Sequence, residues 1–375
     1  MISRYIYNNI ERELSQHNPK VVAIYGPRQV GKTQLAKMLL EGRDKVLIVN
    51  AEDVRFNSVF SSQNLETMMN LIEDHETIFI DEAQSIQNIG INLKILHDAK
   101  PNLKIIVTGS SSFEIANKIQ EPLTGRVKNF FLFPLCMKEL KEFNSGFQLK
   151  ERRNEFPIFG LYPEIYTTPN KSDKVDHLLH LGSSYLYKDI FQLTNIKYND
   201  KIVKLSQLLA LQIGSILSIN KLANALNISH ETVENYIDLL EKSFVIFRLS
   251  AFSRNKVKEI SKSDKYYFYD LGIRNAIINN FTGPDSRTDL GMMWENFVIA
   301  ERMKKLEYER VHKQRYFWRT YNGSEIDYIE EQDGIMEAYE IKYSNKLRKI
   351  PIAWSKEYGN NYKTINFENW LEWVL

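Results

Sequence analysis

The sequence predicts an α/β fold in which a parallel sheet is covered by helices on both faces. Short apolar runs alternate with helical stretches, and these runs lie at 21–25, 46–49, 78–80 and 105–107, with 130–132 as a further candidate strand. Continuous apolar runs of this kind are typical of parallel strands buried on both sides. A glycine-rich turn follows the first run. A second α/β pattern, rich in aromatic residues, begins near Lys265.

Composition limits the classes of protein that fit. A chain of 375 residues is long enough for more than one core, so we expect several domains. Lys and Arg total 49 against 47 acidic residues, so any surface for nucleic acid must be local. The single cysteine, Cys136, cannot form an internal disulfide, and the first residues predict an amphipathic helix rather than a signal peptide. We expect a cytoplasmic protein without a membrane partner, because apolar stretches such as 130–133 are far shorter than a transmembrane helix.

The turn after the first apolar run has the pattern of a phosphate-binding P-loop. The segment GPRQVGKT lies between the strand VVAIY and the helix TQLAKMLL, as the motif requires. Its glycines allow backbone N–H groups to surround phosphates, Lys32 neutralises their charge, and Thr33 offers a hydroxyl to magnesium. The motif predicts ATP and Mg²⁺ as cofactors. The predicted nucleotide-binding residues are Gly26, Pro27, Arg28, Gln29, Val30, Gly31, Lys32, Thr33 and Gln34.

The apolar run at 77–80 ends in two carboxylates, Asp81 and Glu82, which is the form of a Walker B segment. Asp81 is predicted to join Thr33 in holding magnesium, and Glu82 to polarise the attacking water. A solvated turn is the alternative. The segment lies some fifty residues after the P-loop, and this position favours the catalytic interpretation.

Two further residues are candidates for contact with the reacting phosphate. Ser110 follows the run at 105–107, and we expect it to contact the γ-phosphate or the water, with Thr108 as the alternative. Arg126, in the segment LTGR, is a candidate for stabilising phosphate charge from the same or a neighbouring subunit, or else a surface arginine.

The middle of the chain predicts a helical segment followed by a winged helix. A helix is expected over 173–191, and three more at 201–214, 219–227 and 230–243 precede an apolar strand. Ser229 is placed to cap the third of these, which is helix-turn-helix punctuation. The segment 229–242 holds four acids and one lysine, so we expect packing rather than insertion into DNA. Residues 248–265 hold six basic residues and two acids, and a wing there could contact phosphates.

Near the C-terminus, acidic residues and a lysine recur at strand spacing. Glu340 and Lys342 share a strand face, Asp327 is expected beside them, and Glu295 lies on a long helix. Oxygen ligands of this kind suit a second Mg²⁺ or an Mn²⁺, bound by Glu295, Asp327 and Glu340. The order of helix Glu, strand Asp and Glu-x-Lys resembles the PD-(D/E)xK nuclease core, with Lys342 as its catalytic lysine. The alternative is an ion pair on a solvated sheet.

Taken together, these segments resemble one family: prokaryotic AAA-type ATPases fused to a C-terminal domain of unknown function with nuclease-like features. The motifs that carry the resemblance are GPRQVGKT, IFIDEAQ, VTGSSS, LTGRV, FPLCMKEL, GLYPEIY, YFYDLGIRN, WENFV and EID…YEIK. The resemblance implies an oligomerising, ATP-dependent machine. We expect an ATPase domain at 1–140, a lid or linker at 141–199, a winged helix at 200–264 and a nuclease-like domain at 265–375. The leading hypothesis is an ATP-regulated nuclease with nucleic acid as partner; the alternative is a signalling or scaffolding ATPase that binds without cutting.

Overall fold

The computed structural model describes residues 2–109, 122–185, 199–253 and 264–375. Contacts divide the chain into two compact units. The first comprises Met1–Phe133 with Lys242–Phe244, and the second comprises Pro134–Glu241 with Val245–Leu375. Among the described residues, no helix is both long enough and apolar enough to cross a bilayer.

The first unit is built on a parallel sheet of five strands in the order β2-β3-β4-β1-β5. The strands are β1 (Val21–Tyr25), β2 (Val46–Asn50), β3 (Thr77–Asp81), β4 (Lys104–Gly109) and β5 (Val127–Phe131). Its described helices are α1 (Tyr7–Leu14), α2 (Lys32–Leu40), α3 (Val54–Phe60), α4 (Leu65–Ile72) and α5 (Ile89–Ala99). The predicted parallel sheet is therefore confirmed.

Burial in this sheet follows strand position. The residues of β1 are buried throughout, as an inner strand requires. The edge strand β2 differs from the expectation of burial on both faces, since Ile48 is 54% exposed. Because all five strands are parallel, their carboxyl ends meet at one edge, where the segments after β1 and β3 lie together.

The second unit begins with short helices. They are α6 (Met137–Lys141), α7 (Gly146–Glu151), α8 (Phe156–Phe159), α9 (Pro163–Thr167) and α10 (Lys171–His180). A single π-helical turn, Leu181–Tyr185, follows α10. The helix predicted over 173–191 is thus found as far as this turn, and its remaining part lies outside the described residues.

The three helices of the predicted helix-turn-helix region are present as α11 (Asn199–Leu211), α12 (Ile219–Leu226) and α13 (His230–Lys242). Asn227 ends α12 in the left-handed conformation, with φ of 52°. The Ser229 hydroxyl then accepts a 3.1 Å hydrogen bond from the Thr232 N–H, which is the predicted cap. The winged-helix arrangement as a whole stays a prediction.

The remaining strands form a six-stranded sheet in the order β11-β10-β9-β8-β6-β7. They are β6 (Ile246–Ala251), β7 (Lys265–Phe268), β8 (Gln314–Arg319), β9 (Glu325–Gln332), β10 (Ile335–Ile341) and β11 (Tyr362–Ile365). The helices are α14 (Leu271–Ile277), α15 (Leu290–Glu309), α16 (Ile352–Tyr358) and α17 (Trp370–Val374).

This sheet joins strands from two of the predicted segments. The strand β6, which follows α13, pairs antiparallel with β7 and parallel with β8. The strands β9 and β10 form a hairpin through Asp333 and Gly334, whose φ angles are 54° and 79°. The sheet therefore runs across the domain boundary expected after residue 264.

Candidate functional site

The P-loop follows β1 and is held by its own backbone and by the segment after β5. A Cβ added at Gly26 would lie 2.0 Å from the carbonyl oxygen of Leu132, so only glycine fits this close approach. Gly31 has a φ of 95° and immediately precedes α2, which begins at Lys32. The loop thus leads directly into the positive end of a helix.

Lys32 already lies over the loop. Its buried ammonium donates 2.9 Å hydrogen bonds to the carbonyl oxygens of Gly26 and Pro27. Both acceptors belong to the phosphate-binding turn. A phosphate entering this turn would therefore meet a lysine that needs only to exchange carbonyl partners for phosphate oxygens.

The two predicted magnesium residues contact each other. The Thr33 hydroxyl donates to the Asp81 carboxylate at 2.9 Å. The Thr108 hydroxyl donates to the same carboxylate, and it also accepts a 3.3 Å hydrogen bond from the Glu82 N–H. Thr108, the alternative to Ser110, therefore contacts both carboxylate residues of the Walker B segment, whereas Ser110 lies outside the described residues. A hydroxyl and a carboxylate at this spacing suit Mg²⁺, which prefers oxygen ligands.

Glu82 adopts a backbone conformation that is uncommon for its residue type. Its φ and ψ are 53° and 45°, in the left-handed region. Its side chain accepts a hydrogen bond from the Gln84 amide. The hydrogen bond from Gln84 therefore restrains the Glu82 carboxylate at this left-handed turn, a role that the motif did not predict.

Arg126 lies far from the P-loop of its own chain. It directly precedes β5, and its carbonyl accepts from the N–H of Val21 at the start of β1, so it stands at the opposite edge of the sheet. Its guanidinium binds Asp98, with Nε 2.7 Å from Oδ1. The geometry is incompatible with action on phosphate in the same subunit, and a role toward a neighbouring subunit stays a prediction.

Arg4 contacts the P-loop although no motif singled it out. Its buried guanidinium donates to the Val30 carbonyl at 2.5 Å and to the Phe133 carbonyl at 2.6 Å. Val30 belongs to the loop itself, and Phe133 follows β5. Arg4 thus fastens the loop to the segment that also packs against Gly26. A lone arginine before a predicted helix gives no signal of such a role in a single sequence.

A pocket of about 800 Å³ in the second unit contains the second group of predicted residues. It brings together Glu295 from α15, Asp327 from β9, and Glu340 with Lys342 from β10 and its end. Side chains from three separate elements of the chain therefore line one cavity. Further basic residues that line it are Lys265, Arg319, Arg348 and Lys349.

Asp327 lies at the centre of this group. Its Oδ2 atom accepts a 2.8 Å hydrogen bond from the Ile341 N–H and lies 3.2 Å from the Lys342 ammonium. Lys342 lies 2.8 Å from Glu340 Oε1 as well. Burial and the neighbouring charge of Asp327 raise the pKa of Glu340. Although burial opposes it, the charges of Asp327 and Glu340 raise the pKa of Lys342, so this lysine is a cation.

Lys265 is a member of the pocket that sequence reasoning placed in the wing. It begins β7, its side chain is only 3% exposed, and its ammonium lies 2.6 Å from Glu325 and 3.4 Å from Glu295. Burial alone would lower the pKa of Lys265, but the two carboxylates outweigh it and raise that pKa. Burial also raises the pKa of Glu295, against the effect of Lys265.

The donor set of this pocket has the chemistry of a hard-cation site but is not assembled into one. The described contacts of its three carboxylates each involve one oxygen atom: Oε1 of Glu295, Oδ2 of Asp327 and Oε1 of Glu340. Yet no three His, Cys, Asp or Glu side chains in the described ranges are grouped to hold a metal as they stand. The carboxylates instead face the ammonium groups of Lys265 and Lys342.

The basic stretch at 248–265 differs from the prediction at both ends. Arg248 pairs with Glu241 at 2.8 Å and with Asp264 at 3.5 Å, and Lys265 is buried in the pocket. Lys265 is therefore not an open phosphate contact of a wing, and Arg248 already has two carboxylate partners. The other four basic residues, Arg254, Lys256, Lys258 and Lys262, lie outside the described residues.

Comparison with known families and proteins identifies the first unit. Residues 18–141 match the AAA domain model, 150–283 match a domain of unknown function (DUF8612), and 290–363 match another (DUF4143). An uncharacterized protein of Mycobacterium tuberculosis is 26% identical over 330 residues, covering 87% of this chain and 71% of that protein.

Two more relatives carry the same kind of name. An uncharacterized protein of Haemophilus influenzae is 23% identical over 88% of this chain and 83% of its own length. One from Methanocaldococcus jannaschii is 24% identical over 72% of this chain and 64% of its own length. The chain therefore carries an AAA-type P-loop ATPase domain, followed by two domains of unknown function.

Proposed function

We propose that this chain is an ATP-hydrolysing protein that acts on nucleic acid, with a phosphodiester-cleaving site in the pocket of its second unit. One observation carries the proposal. Glu295, Asp327, Glu340 and Lys342 line a single pocket although they come from a helix and two strands. The helix carboxylate of Glu295 adds a third oxygen donor to those of the two strands, as a metal-dependent site requires.

In the ATPase domain, each residue has a distinct task. Lys32 would bind the phosphate oxygens, while Thr33 and Asp81 would hold Mg²⁺, which supplies charge neutralisation on the phosphates. Glu82 would accept the proton of the attacking water. Thr108 keeps the Asp81 carboxylate in place through its hydroxyl.

In the pocket, Asp327 and Glu340 with Glu295 would hold Mg²⁺ or Mn²⁺, which would polarise a phosphodiester oxygen. Lys342 is 27% exposed, so its ammonium can reach a phosphate oxygen while it remains beside Asp327. Its cation would stabilise the charge that develops on the phosphate. Glu295 would have to exchange its contact with Lys265 before it could join such a site.

The experiment is cleavage of labelled single- and double-stranded DNA and RNA, with Mg²⁺ or Mn²⁺, with and without ATP. The proteins are the wild type, Lys342→Ala, Lys32→Ala and the control Lys363→Ala. Lys363 is an exposed lysine on β11, paired with Tyr339 and hence on the opposite sheet face from Glu340. Cleavage should vanish in Lys342→Ala, change its ATP dependence in Lys32→Ala and persist in the control.

Absence of cleavage on every substrate, with ATP hydrolysis intact, would overturn the nuclease part of the proposal. One observation favours the alternative, a signalling or scaffolding ATPase that binds without cutting. In the described chain the pocket carboxylates are paired with Lys265 and Lys342 rather than grouped around a cation position. Under this alternative, Mn²⁺ would fail to bind the nucleotide-free protein in a calorimetric titration.

We also propose that the protein acts as a homo-oligomer in which Arg126 meets the nucleotide of a neighbouring subunit. Because Arg126 lies at the sheet edge opposite its own P-loop, the phosphate it meets would belong to a neighbour, and it would exchange its contact with Asp98 for that phosphate. Mixing Arg126→Ala with Lys32→Ala tests it, because only shared sites could then restore partial ATP hydrolysis.

The helix-turn-helix is proposed to pack rather than read DNA, since α13 is acidic.

A further inference from the structure

The mouth of the pocket carries a set of exposed residues that no motif assigned. Arg319 ends β8, and Arg348 and Lys349 follow β10; all three line the pocket. Tyr321 lies between the lining residues Arg319 and Gly323 and is fully exposed to solvent. We call Arg319, Tyr321, Arg348 and Lys349 the pocket rim.

The charges of the pocket are separated by depth. Asp327 and Glu340 are buried and paired with Lys342, and Lys265 is buried between its two carboxylates. The rim is left with three exposed or half-exposed cations. An anion that approaches the pocket would therefore meet positive charge first, although the lining holds four carboxylates as well.

The two rim arginines are held only weakly. The Nε atoms of Arg319 and Arg348 lie 3.8 Å from the nearest oxygens of Glu325 and Glu340, respectively. The Arg319 and Arg348 side chains are 47% and 67% exposed, and a separation of 3.8 Å is longer than a hydrogen bond. Both guanidinium groups can therefore turn toward a phosphate at little cost.

Tyr321 is presented on a hydrogen-bonded turn. The Thr320 N–H donates to the Ser324 carbonyl at 2.9 Å, and the Thr320 hydroxyl accepts from the Ser324 N–H at 3.1 Å. Gly323, with φ of 85°, closes the turn. The turn thus exposes both faces of the Tyr321 ring, two residues from Arg319, and such a ring offers a stacking surface for a planar base.

We propose that the pocket rim binds single-stranded nucleic acid, with Tyr321 stacking on an unpaired base and the rim cations binding the flanking phosphates. Single strands are favoured over duplexes because the bases of a duplex already stack on one another and present no free face. This inference rests on the proposed function, whose substrate it specifies. It concerns binding, so it can be tested separately from cleavage.

The test is fluorescence anisotropy of a labelled oligothymidylate and of its duplex with oligoadenylate, in EDTA so that nothing is cleaved. Tyr321→Ala should weaken binding of the single strand about tenfold, as expected for one lost stacking contact, and leave duplex binding unchanged. Tyr321→Phe should bind like the wild type. Phe147→Ala, which removes an exposed aromatic ring from α7, is the matched control.

The cations give a second measurement. Lys349→Glu should weaken binding of the single strand. It should also make the affinity less dependent on salt, because fewer counterions are released on binding when a phosphate contact is lost. Full single-strand affinity in Tyr321→Ala, an equal loss for the duplex, or no binding by the wild type would each overturn the inference.

The two proposals fail in different ways. Binding that depends on Tyr321, without cleavage under any condition, would reject the nuclease and keep the single-strand site. Cleavage with unaltered binding in Tyr321→Ala would do the reverse. Capture of a protein instead of an oligonucleotide at this rim would also count against the inference.

Discussion

The ammonium of Lys265 lies 2.6 Å from the carboxylate of Glu325, at the base of a pocket that also holds Glu295. Loss of this ammonium also leaves the largely buried Glu295 carboxylate without the cation that lies 3.4 Å from it, whereas Glu325 is partly exposed and keeps Arg319 at 3.8 Å. We therefore predict that Lys265→Met lowers the free energy of unfolding by about 3 kcal/mol. Urea denaturation measures it, with Lys363→Met on β11 as the control. Adding Glu295→Gln should recover part of the loss, and a simple sum of the two single effects would contradict the pairing.

In the ATPase domain, Lys32→Ala should abolish ATP hydrolysis, because the Lys32 ammonium lies over the Gly26 and Pro27 carbonyls, where it can neutralise the phosphate oxygens. Glu82→Gln should instead retain ATP, since the group that accepts the proton of water is lost. Phosphate release and retention of labelled nucleotide measure these outcomes. Lys37→Ala, on the exposed face of α2, is the control. Normal turnover in both variants would reject the site.

Arg4 is predicted to be a positioning residue for the P-loop. Loss of its hydrogen bonds to Val30 and Phe133 in Arg4→Ala should raise the Kd for ATP about tenfold, as the loss of charge-assisted hydrogen bonds implies. Titration with a fluorescent ATP analogue gives the affinity, and Arg4→Lys should restore part of it. Arg12→Ala, on the exposed face of α1, controls for loss of charge. A variant that melts earlier yet binds ATP normally would limit Arg4 to stability.

Thr108 is predicted to orient Asp81. Thr108→Val removes the donated hydrogen bond but keeps the shape of the side chain, so kcat should fall by roughly tenfold or more while the protein stays folded. Thr108→Ser keeps the hydroxyl and should retain most of the activity. If Thr108→Val were fully active, the polar contact expected in this strand would have to come from Ser110.

Asp289 makes a contribution to stability that depends on pH. Burial would raise its pKa, but Arg287 and Arg274 outweigh burial and hold that pKa at about 2, below the ordinary 3.8. Because the pKa of Asp289 is lower in the folded than in the unfolded state, its carboxylate stabilises the fold at pH values above 3.8. This stabilisation is lost as the pH falls from 3.8 toward 2. The contribution of ionised Asp289 to the free energy of unfolding amounts to about 2 kcal/mol.

The measurement for Asp289 is the difference in unfolding free energy between the wild type and Asp289→Asn. The difference should be greatest near neutral pH and shrink as Asp289 takes up its proton. Asp285→Asn, which removes an exposed carboxylate from the preceding turn, is the control. A difference that stays constant down to the acid limit would contradict the role of Arg274 and Arg287.

Local pattern was enough to predict the parallel sheet and the three helices α11, α12 and α13. The strand VVAIY and the GPRQVGKT turn are each determined by a few adjacent residues. The same holds for Ser229, which caps α13. The period of two in β10 also predicted that Glu340 and Lys342 share a face. These features depend on neighbours in sequence, which a single chain displays directly.

Contacts between distant residues could not be predicted in this way. Lys265 resembled one more basic residue of a wing, and only its pairing with Glu325 and Glu295 makes it part of the pocket. Arg4 meets Phe133 across more than a hundred residues. Arg126 was a candidate for contact with phosphate or else a surface arginine. The residue alone does not show that it precedes β5 and therefore lies at the edge opposite the P-loop.

The six-stranded sheet has a consequence for how such proteins change over evolution. Two of its strands, β6 and β7, lie within the DUF8612 match, whereas β8, β9 and β10 lie within the DUF4143 match. Each segment on its own would leave a row of backbone N–H and C=O groups without partners. A recombination event that separated the two segments would therefore leave the paired edges of β6 and β8 without each other, and this favours their inheritance as one piece.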